Sequence, residues 1–163
     1  MPINFANNTL KEYLNQLSSR QPVPGGGSAA ALCAAMGVGL LAMVTEYSIG
    51  RKSNTAVTNK QLEKVLAQLN PMHQRLLALT SLDAEAYLGV SQAKTLDTKA
   101  KRKASLFAKQ VPQEVCQLCF KAIKLAPLLV NKGNPYLLSD VEVAIELLMA
   151  GFNGARVMVR INS

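Results

Sequence analysis

The stretch that most limits what this chain can fold into is Pro22-Val23-Pro24-Gly25-Gly26-Gly27-Ser28, leading into the apolar run 29–44. Each proline disfavours the α region for the residue before it, so the approach is stiff. Three glycines then strip side chains from the turn and let the backbone come close to whatever lies opposite. Ser28 is a favourable N-cap for the helix that follows, read as residues 28–49. A bare turn feeding a helix N-terminus, with its free N–H groups and dipole, favours an anion. Ala31, Ala34, Ala35, Gly37, Gly39 and Ala42 leave that helix little bulk, so another helix or a symmetry mate can approach its backbone closely.

Several classes of protein are set aside by the same stretch. The glycines match neither G-x-x-x-x-G-K-[ST] nor a post-strand G-x-G-x-x-G, so the nucleotide-binding fingerprints do not apply. The apolar run is just short of the usual spanning length and begins too late for a signal peptide, which favours a packed core helix over a membrane span. With 163 residues, 49% hydrophobic and no Trp, the chain reads as one domain, 1–163, packed by Leu, Ala and Val. No strand pattern interrupts the helical periodicity, so the fold class is all-α.

A net charge of +8 points to anionic partners. Nothing resembles a zinc finger, an RNA-recognition motif or an aromatic–basic platform, so no nucleic acid is expected. Three cysteines make no disulfide framework and suit a reducing cytoplasm. Cys116 and Cys119 fall within a helical pattern with no second ligand pair, which reads as buried thiols and no metal.

Leu10, Tyr13, Leu14 and Leu17 recur at helical spacing, with Thr9 and Glu12 as a capping box. Gly50-Arg51-Lys52 closes the apolar helix with a glycine and two cations. A third helix starts near Thr58 and presents Leu62, Val65, Leu66, Leu69, Leu76, Leu79 and Leu82, with a break or kink at Pro71. Asp83, seven residues beyond Leu76 and four beyond Leu79, is carried by that stripe toward the core, where burial would raise its pKa. Leu96, Ala100, Leu106 and Phe107 are available to pack inward from a strongly basic segment, residues 97–111. Pro112 begins the next helix and Pro127 bends it. Ser139 and Glu142 make a capping box for the last helix, with Asp140 in its first turn.

Taken together, Pro22–Ser28, the basic turn at Lys52, Asp83-Ala84-Glu85-Ala86-Tyr87, Gly133-Asn134-Pro135 with Ser139-Asp140, and the closing Asn153–Asn162 segment resemble the cyclodeaminase/cyclohydrolase family of folate enzymes. The resemblance implies an antiparallel bundle of five to six helices that forms a homodimer. It also implies a one-carbon tetrahydrofolate substrate, polyglutamylated forms included, with no metal or redox cofactor. On this resemblance, Gly25, Gly26, Gly27 and Ser28 line the pocket, and Lys52, Asn134 and Arg160 hold the folate. Asp140, with Asp83 as the second candidate, moves the proton. Cyclodeamination of 5-formiminotetrahydrofolate is the expected reaction, with methenyltetrahydrofolate cyclohydrolysis as the alternative. A folate- or polyanion-binding protein without turnover is a further alternative.

Overall fold

The computed structural model describes residues 3–95 and 97–162; Leu96, expected to pack inward, lies outside the described residues. Six α-helices are present among them and no strand: α1 (Leu10–Leu17), α2 (Gly26–Ser48), α3 (Ala56–Ala93), α4 (Thr98–Ile123), α5 (Ala126–Lys132) and α6 (Leu138–Ile161). The four long helices α2, α3, α4 and α6 form an antiparallel bundle in which α2 packs on α3 and α6, and α4 closes the other side on the same two. Their inner faces are Leu, Val and Ala: Leu41, Leu62, Leu69, Leu76, Leu79, Val115, Val141 and Leu148 are fully or almost fully buried, and Leu129 of α5 joins them.

The small residues of α2 are used inside the chain. A Cβ on Gly37 would fall 2.8 Å from the Ala144 carbonyl oxygen, and one on Gly151 would fall 2.9 Å from the Ala34 Cβ. The close approach anticipated for α2 is therefore made by α6, leaving Met36 and Tyr47 exposed on its outer side. By length and composition α2 could cross a membrane, yet its inner face is the centre of the bundle.

Several boundaries differ from the sequence reading. Helix α2 begins inside the glycine run with Gly25 as N-cap, so Ser28 is a buried first-turn residue and no cap. Helix α3 runs unbroken through Pro71, which sits on the exposed face together with Ala67, whose carbonyl loses its donor and can meet water there. Helix α4 likewise runs through Pro112, and here the structure supplies a replacement donor. Asn162 Nδ2 donates to the Ala108 carbonyl at 2.8 Å, the i−4 acceptor that Pro112 leaves open. Pro127 falls at the start of α5 after a break at Lys124–Leu125. The Ser139–Glu142 capping box does not form; a 3₁₀ turn, Pro135–Leu137, leads straight into α6, and Asn134 caps that turn by accepting from the Tyr136 N–H at 3.2 Å.

The Thr9–Glu12 capping box forms as expected, although only Tyr13 of α1 is buried. Leu66 and Leu82 are half-buried. Leu106 and Phe107, expected inside, are exposed. The cause is a difference in helix length: Gly27 meets Asp83 and Asn162 meets Ala108, so the last turns of α3 and the first turns of α4 run past the ends of α2 and α6 as a hairpin.

Candidate active site

At the base of that hairpin is a cavity of about 330 Å³, lined by Pro22, Val23, Gly25, Gly26, Asp83, Ala86, Tyr87, Val90, Ala108, Met158 and Asn162. Four segments meet here: the entry to α2 and the last turn of α6, which end at this level, and the two arms of the α3–α4 hairpin, which run on past it. Asp83 is the one carboxylate in the lining. Its Oδ2 accepts the Ser28 backbone N–H at 2.8 Å, one of the free donors of the first turn of α2.

The glycines divide the labour. A Cβ on Gly27 would overlap the Asp83 carboxyl group, so only glycine lets that group sit against the helix N-terminus. A Cβ on Gly25 would have nothing within 4 Å, and one on Gly26 would meet only Met158 Sδ at 3.8 Å, which leaves the backbone facing the cavity open. Burial pushes the Asp83 carboxyl above its ordinary 3.8, with the Ser28 N–H pulling the other way. Beneath it, the fully buried Ser28 hydroxyl lies 3.0 Å from the Tyr13 hydroxyl, whose own pKa burial raises. Phe5 stacks edge-on against Tyr13, and its N–H donates to Ser81 Oγ at 2.9 Å, tying the N-terminal segment to α3 behind the site.

The anticipated site residues are split between the two ends of the bundle. Gly25, Gly26, Gly27, Ser28 and Asp83 converge as described. Arg160 is exposed and outside the lining: two residues from both Met158 and Asn162, it is turned about 200° from each. Asp140, in the first turn of α6, stands 18 residues before Met158, or ~27 Å along the helix. Lys52 and Asn134 lie beyond the C-terminal end of α2, ~33 Å along that helix from Gly26. There the Asn134 N–H donates to Ser48 Oγ at 2.8 Å and Arg51 Nη1 donates to the Gly133 carbonyl at 3.1 Å. Within this chain Asp140 and Asp83 lie at opposite ends of the bundle and do not share a cavity.

Sequence reasoning missed Tyr13, read only as core, and the paired use of Asn162. The signal for Asn162 was present in Pro112, whose missing N–H requires a donor from elsewhere. Cys119 is buried and its thiol is pushed up to about 12 by burial, as expected of a structural cysteine. Among the described residues, no three His, Cys, Asp or Glu side chains form a set that could hold a metal ion.

An antiparallel bundle with a carboxyl group held against a helix N-terminus at the edge of a cavity defines an all-α scaffold with a candidate acid–base site. Comparison with known proteins narrows the class. The family model described as formiminotransferase-cyclodeaminase matches residues 9–163. A methenyltetrahydrofolate cyclohydrolase of Methylorubrum extorquens is 34% identical over 96% of this chain and 80% of that protein. A formimidoyltransferase-cyclodeaminase of Mus musculus is 27% identical over 94% of this chain, but the match spans only 30% of that longer protein. The crystal structure of a formiminotetrahydrofolate cyclodeaminase from Thermotoga maritima superposes with a TM-score of 0.91 at 27% identity, covering 96% of this chain and 79% of that one. The chain belongs to the formiminotransferase-cyclodeaminase family, whose cyclodeaminases and cyclohydrolases are enzymes of folate one-carbon chemistry.

Proposed function

We propose that this protein hydrolyses 5,10-methenyltetrahydrofolate to 10-formyltetrahydrofolate, with Asp83 moving the proton. The observation that carries the reading is a carboxyl group with a raised pKa, held at the floor of an open cavity by the first turn of α2. Ionised Asp83 takes a proton from the attacking water as its oxygen bonds to the methenyl carbon. The tetrahedral carbon then releases the N5 nitrogen, to which the carboxyl returns the proton. The sum consumes one water and sets free one proton. A positioned acid–base group of this kind contributes ~10²–10⁴-fold to rate. The identity to the Methylorubrum cyclohydrolase supports the hydrolytic direction.

The likeness to the Thermotoga cyclodeaminase favours a second reading, in which N10 closes on a 5-formimino group and the acid protonates the departing ammonia. Absorbance of the methenyl chromophore separates the two. Accelerated decay from methenyltetrahydrofolate supports hydrolysis, and appearance from 5-formiminotetrahydrofolate with ammonia release supports deamination. Binding without either change leaves a folate carrier, and neither binding nor change overturns the folate reading.

Proton transfer alone carries either reaction as written, without metal or redox cofactor. The same proposal takes the protein as a cytoplasmic homodimer acting apart from membrane and nucleic acid. The outer apolar side of α2, with Met36 49% and Tyr47 67% exposed, supports a second copy. Sedimentation at micromolar concentration tests the dimer.

A further inference from the structure

The cavity is small for its family's substrates, near the lower end of the ~300–1,000 Å³ typical of ligand sites. It has room for a bicyclic head group against Asp83, and the rest of an elongated ligand must lie outside. The lining shows which way. On α3, Asp83, Tyr87 and Val90 follow each other at i, i+4 and i+7, and the next position on that stripe is Lys94. On α4, the lining residue Ala108 continues back through Ser105 to Lys101 at i−3 and i−7. Both lysines are exposed, on the two arms of the hairpin that stands beyond α2 and α6. Lys94 is eleven residues from Asp83, ~16 Å along α3.

The other charges of the hairpin point elsewhere. Lys103 lines a groove with Gly89, Gln92 and Phe107 on the opposite flank, and Lys99 and Arg102 lie with Leu106 and Phe107. Of the acids, Asp97 is occupied in accepting the Ala100 N–H at 2.7 Å as the cap of α4. Glu85, two residues from both Asp83 and Tyr87, is turned about 200° from that stripe. The stripe thus runs from a half-buried carboxyl, across Tyr87 and Val90, to a pair of cations.

We propose that Lys94 and Lys101 form a subsite for the anionic tail of the substrate, the glutamyl carboxylates of the folate, with the aminobenzoyl linker lying over Tyr87 and Val90. This rests on the folate reading above and assigns to the α3–α4 hairpin the anchoring that the family resemblance implied for Lys52. The experiment compares the kcat/KM of the full-length protein for tri-γ-glutamyl methenyltetrahydrofolate and for methenyltetrahydropteroate, which has no glutamate. In the wild type the tailed substrate is favoured. In K94A/K101A that preference falls ~tenfold, about threefold for each exposed charge pair lost, and it weakens further with salt in the wild type only. K52A retains the wild-type preference. The inference is overturned if the double variant keeps the preference, if K52A abolishes it, or if the wild type consumes both substrates equally; the folate reading survives all three. If neither substrate is consumed or bound, both fall together.

Discussion

At the Asp140 end of the bundle, polar groups are spent on holding loops: Asn134 caps a 3₁₀ turn, Ser48 accepts its N–H, and Asn54 Nδ2 donates to the Ser48 carbonyl at 2.7 Å. At the Asp83 end, a carboxyl group has one backbone donor, a raised pKa and open space in front of it. Both ends carry a recognisable motif and an aspartate in the neighbourhood of a helix N-terminus. The difference is one of surroundings: the Asp83 carboxyl faces a cavity that can admit a reactant, whereas Asp140 stands in the first turn of α6, where a negative charge supports the helix.

The sharpest way to break this comparison is the pair of isosteric substitutions. Asp83→Asn is expected to lower kcat ~10²–10⁴-fold with the helical circular dichroism unchanged. Asp140→Asn should instead leave turnover in place and cost ~0.3–1 kcal/mol in thermal unfolding. If turnover is lost at Asp140 and kept at Asp83, the two ends have been assigned the wrong way round. Next in size is Gly27→Ala. Its methyl group displaces the carboxyl from the helix N-terminus, and misplacement of a reacting group by about an ångström costs up to ~10²-fold in rate, whereas Gly25→Ala should be far milder.

Asn162→Ala sharpens the comparison from the scaffold side. Leaving the Ala108 carbonyl without a donor should cost ~1–3 kcal/mol in denaturant unfolding. In a Pro112→Ala background, where a backbone N–H is restored to that carbonyl, the same substitution should cost less. A full and equal cost in both backgrounds would refute the compensation.

The smallest effect is a pH dependence of stability. A carboxyl whose folded pKa is raised binds its proton more tightly in the folded state, so its stabilising contribution is complete below the unfolded value. That contribution disappears as pH rises from 3.8 through the raised value. Asp83→Asn should therefore melt above wild type at neutral pH, with the gap closing in acid. Calorimetry across that range checks it; a gap that widens in acid contradicts a raised pKa.

Much of this could be read in the chain. The apolar run after the glycines places α2, the helical spacing of the leucines places α3, Thr9 and Glu12 cap α1, and Asp83 falls on the inner side of the α3 stripe. The internal prolines misled, because a proline ends a helix only when its orphaned carbonyl finds no other donor. Pro71 has solvent beside Ala67, and Pro112 has Asn162. The inward placement of Leu106 and Phe107 failed for a different reason. Periodicity gives a helix its apolar face, and whether another helix is long enough to cover that face is a matter of the relative lengths of neighbours far away in sequence.

The sequence by itself settled the helical class, the side-chain-free backbone at Gly25–Gly27 and the family pattern, since helical spacing and backbone freedom are local properties. Which motifs meet was decided by tertiary structure. An antiparallel bundle brings the start of one helix to the end of the next, so Gly27 meets Asp83 while Lys52 and Asp140 are carried a full helix length away.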